Sequence, residues 1–569
     1  MFREIVFIML ILTEAKAAKI LCIFMTPAYS HQSVFRPIWK ELSLRGHQVT
    51  VYTPNPINDP SLTNLTEVDL GFSYKHINKF TNVFFGKKRS PIEELKMLGD
   101  FYATVFDTQM SSPEMQQLLA NKNNESYDLF LVEYLYLPMF GFKDVYKCPM
   151  VGISSLPLSI RTQKMFGVSR HPVLNPDYLL SFSDNLSFKE RIISTAYSLF
   201  VQALSNVVAS NLYTKIARKY FGERIGDIYE IAKDASLVLV NSNFATTNIQ
   251  PSVAAIVEVP GLHLQPPKSL PEDLQKFLDK SPEGVIYFSL GSNVELRHVP
   301  DESLKKISGA FSDLPYKVLL KSDEDIFSHL SNVKTVGWLP QQDVLRHPNV
   351  KLFISQGGLQ SIDEAITSET PMLIVPFYGD QYFNAHKMVS NGIALSVDFA
   401  DFSKEDLIDK IKMLISDDKY KKTAAKLSSM AYDQPIAPLE KAIWWIEYVL
   451  KHDGAPHLRY KALDMPFYQY YLLDVYLFFA VIIGVFAYVL FKFYRTIMAV
   501  YQFSSRILLW IKNLHYCIEN TCYDYRNKGQ LSPICLCKGR LSYSRYIRYE
   551  YESYSDDEYD RQVAEPINI

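Results

Sequence analysis

Apolar runs separated by amphipathic stretches occur in both halves of the chain. Near the start, an apolar run over Ile20–Met25 is followed by a loop over Thr26–Ser33, an amphipathic stretch over Val34–Leu44 and a second apolar run over Gln48–Thr53. This order predicts a strand, a helix and another strand. Such a βαβ unit is typical of an α/β fold built on parallel sheets.

A similar pattern lies in the C-terminal half. The run VKLFIS over Val350–Ser355 stops at Gly357 and Gly358, and helical periodicity follows over Ser361–Thr367. Glycines in such a turn let a phosphate approach the backbone, and the N terminus of the following helix attracts negative charge. A Gly-Gly turn before a helix is also an ordinary βα connection, so the turn alone does not establish a phosphate site.

Two apolar segments at the ends of the chain predict membrane targeting. Residues 1–17 combine Arg3 with an apolar core and small residues at Ala15 and Ala17, as a secretory signal peptide does. The run over Val475–Phe491 carries no charge and is followed by lysines and arginines. We therefore expect a transmembrane helix over 475–494 and a type I topology with a cytoplasmic tail over 495–569. A buried core helix is the alternative.

The segments between these ends suggest two domains. Proline-rich sequence from Val259 becomes helical towards Asp279 and marks a linker. We predict an N-terminal domain over 18–258, a C-terminal domain over 259–450 and a return segment over 451–474. The stretch over Phe188–Tyr220 predicts a long helix that either lies on the membrane surface or packs over a cleft. Most of the tyrosine-rich tail is expected to be disordered.

Composition agrees with a globular protein of two sizeable domains. The chain has 569 residues, of which 48% are hydrophobic and 21% charged, and its net charge is −2. No basic excess suggests a nucleic-acid partner.

Cysteines and glycosylation motifs fit a luminal chain. Only Cys22 and Cys148 precede the predicted anchor, and both lie beside apolar runs, so we expect no disulfide framework. The other four cysteines follow the anchor in a spacing that matches no zinc site. Glycosylation sequons occur at Asn64, Asn124 and Asn185.

Polar and aromatic residues around the second βα turn suit a nucleotide diphosphate sugar. Trp338 offers a flat face on which a base could stack. Glu364, about one turn into the predicted helix, could accept hydrogen bonds from ribose hydroxyls. Asp380 and Gln381 supply acceptors and donors suited to the hydroxyls of a sugar.

The whole string from Trp338 to Gln381 resembles the donor-binding motif of the UDP-glycosyltransferases, glycosyltransferase family 1. The family pattern WxPQxxxLxHP, then F(I/V)(S/T)xGGxxSxxEA, then PxxxDQ, occurs here in order, and FSLGSN over Phe288–Asn293 matches its phosphate-facing turn. The resemblance implies a GT-B fold with two facing Rossmann-like domains. It implies that Trp338 and Gln341 contact the uracil and that Glu364 contacts the ribose. It implies contacts to the diphosphate from Gly291, Ser292, Gly358 and Ser361. The sugar would be contacted by Asp380 and Gln381.

One position departs from the usual family pattern. Gln356 stands where many members have histidine directly before the glycine pair. The string QGGLQS resembles the arthropod branch of the family, so we interpret Gln356 as a feature of that branch that still belongs to the donor site.

The first predicted loop carries a candidate base. A loop histidine at the carboxyl end of a strand in a parallel sheet lies where ligands bind, although most loop histidines have no catalytic role. The family motif PxxSHxxxxxxLxxxLxxRGHxVT places the catalytic histidine at His31, and it gives His47 a structural role. In the family an aspartate orients this histidine; here Glu133, at the end of YDLFLVE, holds that position, with Asp128 as the fallback.

The resemblance implies an inverting UDP-glycosyltransferase. Its donor would be a UDP-sugar, most simply UDP-glucose, and its acceptor a small lipophilic molecule with a hydroxyl. We expect no obligatory metal. We expect a location in the endoplasmic reticulum membrane, with a later secretory compartment or the plasma membrane as alternatives. A homo-oligomer is left open. A protein that binds UDP-sugars or lipophilic ligands without turnover is the alternative. A nicotinamide dehydrogenase is disfavoured because no GxGxxG follows the first strand.

Overall fold

Two parallel sheets organise the chain from residue 17 to residue 464. The computed structural model describes residues 17–76, 89–182, 185–204, 210–292, 294–399 and 401–528. The first sheet has seven strands in the order β3-β2-β1-β4-β5-β6-β7. These are β1 Lys19–Ile23, β2 Gln48–Thr53, β3 Leu65–Asp69, β4 Leu129–Glu133, β5 Met150–Ser154, β6 Leu237–Val240 and β7 Ile256–Glu258.

The second sheet has six strands in the order β10-β9-β8-β11-β12-β13. Its strands are β8 Val285–Ser289, β9 Lys317–Lys321, β10 Val333–Val336, β11 Val350–Ser355, β12 Met372–Ile374 and β13 Ala394–Ser396. In each sheet the strand order runs outward in opposite directions from two adjacent central strands. These strands are β1 and β4 in the first sheet and β8 and β11 in the second. In open parallel sheets such switch points form ligand-binding crevices at the carboxyl ends of the strands.

Helices connect the strands. In the first sheet they are α1 Tyr29–Leu44, α2 Pro91–Met110, α3 Pro113–Ala120, α4 Gly141–Tyr146, α5 Ile160–Lys164, α6 Phe188–Leu204, α7 Ser210–Phe221 and α8 Ile228–Lys233. In the second they are α9 Glu272–Asp279, α10 Asp301–Ser312, α11 Gln341–Leu345, α12 Leu359–Thr367, α13 Gln381–Ser390, α14 Lys404–Ser416 and α15 Lys419–Ala431. The remainder are α16 Pro438–Lys451, α17 Phe467–Tyr470 and α18 Leu473–Lys528.

The central strands are buried on both faces and are apolar up to their last residues. All five residues of β4 (LFLVE) and of β5 (MVGIS) are buried. Along β8, Val285 and Tyr287 join one apolar cluster, whereas Ile286 and Phe288 join the other. Continuous apolar runs of this kind are typical of parallel strands that are buried on both sides.

The chain returns to the first domain near its end. Helix α16 follows the second domain in sequence, yet Ala442, Ile443, Ile446 and Val449 belong to the apolar core around the first sheet. The predicted C-terminal domain ends at residue 450 and so includes nearly all of this helix. In the structure the helix packs against the first domain instead.

One predicted helix begins earlier in the structure than the sequence indicates. Helix α1 begins at Tyr29, five residues before the predicted start at Val34, so His31 lies in its first turn and the predicted loop over Thr26–Ser33 is shorter. Ala28 precedes the helix without a side-chain cap, so the usual sequence signal for a helix start is missing. The predicted helix over Phe188–Tyr220 is helical over Phe188–Leu204 (α6) and Ser210–Phe221 (α7), and residues 205–209 between them lie outside the described residues.

The last described helix is long and apolar. Helix α18 contains the predicted span 475–494 and continues to Lys528, so residues 495–528 are helical and differ from the disordered tail that we expected there. Its stretch over Leu473–Asn520 is long and apolar enough to cross a membrane. Most of the predicted signal peptide, and the tail from residue 529 with Cys535 and Cys537, lie outside the described residues.

The returning helix generates a stability prediction. Ile446 is fully buried in the first core, so Ile446→Ala should lower the free energy of unfolding by about 2–5 kcal/mol through lost burial and a residual cavity. The exposed Lys451→Ala at the end of the same helix should change it by less than about 0.5 kcal/mol. Denaturant unfolding of both variants checks this expectation, and equal effects would contradict the assignment of α16 to the core.

Candidate active site

Three polar side chains meet at the carboxyl ends of neighbouring strands in the first sheet. His31 lies in the first turn of α1, Glu133 ends β4 and Ser155 directly follows β5. The His31 Nδ1 atom is 2.9 Å from Glu133 Oε1 and 2.8 Å from Ser155 Oγ. The contact expected between His31 and Glu133 is therefore present, and the extra methylene of glutamate is accommodated.

The Glu133 carboxylate is buried and fixed from two sides. Its side chain is 1% exposed, its Oε1 faces the His31 ring, and its Oε2 accepts a hydrogen bond of 3.0 Å from the backbone N–H of Thr26. A carboxylate beside Nδ1 favours the tautomer with the proton on Nδ1, which leaves Nε2 as the acceptor nitrogen. Asp128 instead accepts a hydrogen bond from the backbone N–H of Lys19, at the opposite end of the sheet.

Two buried glutamines fix the backbone that carries His31. The Nε2 atom of Gln32 donates to the carbonyl oxygens of Phe24 and Thr26, and Thr53 Oγ1 donates to its Oε1. Gln109 Nε2 donates to the Met25 carbonyl at 2.7 Å. The loop after β1 and the first turn of α1 are thus tied to the ends of two strands and to helix α2.

The two turns predicted to face the phosphates contain glycines that lie close to Gln356. Gly291 and Gly357 have φ values of +76° and +83°, which favour glycine, whereas Gly358 (φ −64°) precedes α12 as its N-cap. A Cβ atom on Gly291 would lie 2.5 Å from Gln356 Nε2. Gln356 therefore packs against Gly291, and its carboxamide would have to move to accommodate a Cβ there.

A polar network occupies the first turns of α11 and α12. Gln341 Nε2 donates to Ser361 Oγ at 3.0 Å and to Glu364 Oε2 at 2.6 Å, and the Tyr287 hydroxyl donates to Gln341 Oε1. Gln342 Nε2 donates to Glu364 Oε1 at 3.1 Å. Three predicted donor residues, Gln341, Ser361 and Glu364, are therefore connected by hydrogen bonds.

Burial makes this carboxylate and its neighbour unusually weak acids. Burial raises the pKa of Glu364 to about 7, against hydrogen bonds from Gln341 and Gln342 that lower it. Burial also raises the pKa of Asp363 to about 7, while the Tyr432 hydroxyl, which donates to it at 2.7 Å, opposes that shift. Both groups can gain or lose a proton close to neutral pH.

Trp338 lies exposed at the mouth of a large cavity. Its side chain is 60% exposed, with the Tyr29 ring packed edge-on at 5.1 Å and Lys321 Nζ 5.4 Å from its ring centroid. Lys321 also donates to the Gly291 carbonyl at 3.0 Å, and burial lowers its pKa. An exposed indole surface in a cleft is suited to stacking a planar base.

The loop before α13 carries Asp380 and leads into Gln381, the first residue of that helix. Burial raises the pKa of Asp380, while the hydrogen bond from Asn384 opposes this rise. Asn384 Nδ2 donates to Asp380 Oδ2 at 2.7 Å. Gln381 uses its carboxamide oxygen to accept the backbone N–H groups of Phe377 and Tyr378, so it holds this loop in place.

The cavity between the two sheets has a volume of about 700 Å³. Six of the ten predicted donor residues line it: Gly291, Ser292, Trp338, Gln341, Ser361 and Glu364. Gln356 and Gly358 lie at the turn behind it, and Asp380 and Gln381 lie on the loop before α13. Six of the predicted donor residues thus line the cavity, and the other four do not.

The structure adds residues that the sequence did not reveal. Ser155, Tyr29, Lys321, Tyr287 and Gln342 all contact predicted site residues. Ser155 follows the buried strand β5, which is the neighbour of β4, at the same sheet edge as Glu133. Its position could therefore have been predicted from the sequence by the same rule. Lys321, at the end of β9, follows the same rule in the second sheet.

A second cavity of about 330 Å³ lies in the first domain. Its wall combines aliphatic side chains, most of them leucines, with Phe200 and the tyrosines Tyr102, Tyr134, Tyr136, Tyr178, Tyr197 and Tyr213. Ser154, the neighbour of Ser155, also lines it. In the part of the chain that the structure describes, no cluster of three or more metal-ligating side chains was found.

The sequence matches a known protein family over most of its length. The family model described as "UDP-glucoronosyl and UDP-glucosyl transferase" matches residues 18–505. The chain is 34% identical over 479 residues to UDP-glycosyltransferase UGT5 of Dactylopius coccus, covering 82% of this chain and 89% of the relative. It is 29% identical over 505 residues to UDP-glucosyltransferase 2 of Dactylopius coccus, covering 87% and 96%.

A solved structure shares the arrangement of two sheets. The glycosyltransferase VinC, determined in complex with DTDP, matches with a TM-score of 0.52 and 18% sequence identity, over 76% of this chain and all of that one. At this identity the likeness concerns the fold alone, and it confirms the GT-B architecture expected from the sequence.

The raised pKa of Glu364 generates a pH prediction. In the unfolded chain this carboxyl has a pKa of about 4.3. Between about pH 4.5 and 7 the folded protein keeps a proton that the unfolded chain has lost, so this group lowers stability as pH rises, by about 1.4 kcal/mol per pH unit. Glu364→Gln should remove that contribution, so stability of the native protein relative to the variant should fall from pH 5 to pH 7.

Unfolding free energies of both proteins across this range test the prediction. The matched control is Glu405→Gln, which changes an exposed glutamate on α14 and should leave the pH profile of stability unaltered. Parallel profiles for the native protein and Glu364→Gln would show that the Glu364 carboxyl titrates alike in the folded and unfolded chain.

Proposed function

The chain belongs to the family of UDP-glucuronosyl and UDP-glucosyl transferases, and we propose that it transfers glucose from UDP-glucose to a hydroxyl of a small lipophilic acceptor. Membership makes it a UDP-glycosyltransferase, an enzyme that transfers a sugar from a UDP-sugar donor. Glucose is the choice that a relative at similar length supports, since that relative is named a UDP-glucosyltransferase.

The contact between His31 and Glu133 is the observation that carries the proposal. It orients an imidazole at the carboxyl end of the first sheet. His31 Nε2 would accept the proton of an acceptor hydroxyl as that oxygen attacks the anomeric carbon. Glu133 would stabilise the imidazolium that forms, since a nearby carboxylate favours the charged ring.

The donor would lie along the second sheet. Trp338 would stack the uracil, and Glu364 would accept hydrogen bonds from the ribose hydroxyls in the network with Gln341. The diphosphate would lie against Gly291, Ser292, Gly358 and Ser361, and the sugar against Asp380 and Gln381. Helix α12 has its N terminus at Gly358, so its backbone N–H groups and dipole would stabilise charge on the departing UDP.

The geometry supports transfer by one direct displacement. The acceptor hydroxyl would attack the anomeric carbon from the His31 side while the bond to the UDP oxygen breaks on the opposite side. The proton goes to His31 Nε2 and the bonding electrons go to UDP. Such a displacement inverts the configuration at the anomeric carbon, and the charge on UDP is stabilised by backbone amides without an obligatory metal.

The acceptor would occupy the second cavity. Its wall of leucines and tyrosines suits a lipophilic molecule, and Ser154 connects it to Ser155, which contacts His31. Gln356 lies behind the phosphate turn and carries no charge, so we propose that it positions Gly291 and leaves phosphate recognition to the backbone.

The cellular setting follows from the ends of the chain and the surface. The three sequon asparagines, Asn64, Asn124 and Asn185, are all exposed. Together with the predicted signal peptide and the long apolar helix α18, they support a type I protein of the endoplasmic reticulum membrane with luminal catalytic domains.

Substitution of the two central residues tests the mechanism. His31→Ala should lower acceptor-dependent UDP release by about 10²–10⁴-fold, because the general base is gone. Glu133→Gln should also lower it, since a neutral amide no longer favours the charged ring. UDP affinity should stay within about twofold in both variants, because neither residue lines the donor cavity. The measurement is UDP release in microsomes with UDP-glucose and a panel of phenols, flavonoids and sterols.

His329→Ala provides the control. His329 is exposed in the second domain, where its Nε2 contacts Ser308 Oγ, and its loss should leave UDP release unchanged. Full activity in His31→Ala would rule out the base assigned here. Acceptor-independent binding of UDP without turnover in the native protein would instead favour a carrier.

A further inference from the structure

The second cavity, in the first domain, contains a guanidinium group that the proposed mechanism does not use. Arg161, on the short helix α5, lines this cavity together with tyrosines. Lipophilic acceptors with hydroxyl groups alone do not require a positive charge in their binding site. The presence of Arg161 therefore bears on which acceptors the cavity favours.

The hydrogen-bonding capacity of Arg161 is only partly used. Its Nη1 donates to the Tyr213 hydroxyl at 3.1 Å, and its guanidinium carbon lies 5.4 Å from the centre of the same ring. Among the described residues it forms no ion pair. An arginine carries five N–H donors in a planar fork, so most of its donors remain available to a ligand.

The carboxylate that shares the cavity wall is turned elsewhere. Asp177 accepts hydrogen bonds from the backbone N–H groups of Ile160 and Leu179, at 3.3 and 3.2 Å. It is buried and caps the turn over Tyr178–Leu180. The other charged residue of the wall is Lys96, which is positive and exposed. The cavity thus holds a positive group that no carboxylate of the described chain pairs.

The cavity extends from Arg161 towards the proposed base. Ser154 lines it, and the adjacent Ser155 contacts His31 Nδ1 at 2.8 Å. Tyr102 lines it as well. A ligand in this space can present one end to the His31 side while its other end reaches Arg161.

We propose that Arg161 selects acceptors that carry a carboxylate in addition to the hydroxyl that receives the sugar. This inference rests on the proposed function and names its acceptor class: hydroxylated aromatic acids. The carboxylate takes two parallel hydrogen bonds from the guanidinium, and the tyrosines cover the apolar body. Pairing in a largely apolar cavity also compensates for the cost of holding a charge away from water.

Binding of a ligand that cannot be turned over separates this inference from catalysis. The probes are 6-methoxy-2-naphthoic acid and its methyl ester, which lack a free hydroxyl and differ in the charged group. Titrated into the full-length protein in detergent and followed by intrinsic fluorescence, the acid should bind at least tenfold more tightly than the ester. Arg161→Gln should abolish that preference, and Arg161→Lys should keep part of it.

A charge-matched control excludes a general electrostatic effect. Lys189→Gln removes an exposed positive charge from the first turn of α6 and should keep the tenfold preference for the acid. Equal binding of acid and ester by the native protein would overturn the inference. So would an undiminished preference for the acid in Arg161→Gln.

Turnover then tests the proposed function separately. With 6-hydroxy-2-naphthoic acid and its methyl ester as acceptors, kcat/KM should favour the acid at least tenfold, and Arg161→Gln should reduce that ratio at least tenfold. If the acid binds selectively but neither acceptor causes UDP release, the transferase assignment fails while the carboxylate site stands. If both acceptors react equally, the carboxylate site fails while the transferase assignment stands.

Discussion

The Glu133 carboxylate and the His31 imidazole lie 2.9 Å apart, and the chemistry assigned to this protein depends on that contact. With Nδ1 facing a buried carboxylate, Nε2 is the nitrogen that can accept a proton. The contact exists because β1 and β4 are adjacent parallel strands whose carboxyl ends meet at one edge of the sheet. Thr26, Gln32 and Gln109 then hold the connecting backbone in place.

The second domain repeats this architecture for a different task. Its switch point between β8 and β11 gathers two glycine turns and the N terminus of α12, which suit an anionic diphosphate. Buried carboxylates sit behind these turns, and the pKa of Glu364 lies near 7 because little water reaches it. The side chains proposed to contact a ligand thus differ between the two domains. Both domains place them at the switch point of a parallel sheet.

Much of this arrangement could be predicted from the sequence. The β11 strand has the predicted bounds Val350–Ser355, and the contact of Glu133 with His31 is as expected. The sequence predicts the start of α1 at Val34, whereas the helix begins at Tyr29, because Ala28 provides no side-chain cap that would mark the start. The orientation of Gln381 towards its own loop, and the return of α16 to the first core, depend on tertiary packing and have no local signal. Arg161 had none either, since its importance comes from tyrosines distant in sequence.

The stereochemistry of the product tests the central claim most directly. UDP-glucose carries its leaving group in the α configuration, and attack by a hydroxyl activated at His31 comes from the opposite face. Proton NMR of the purified glucoside should therefore show a β linkage, with the large coupling of two axial protons at carbons 1 and 2. An α-glucoside would contradict a single displacement with His31 as the base.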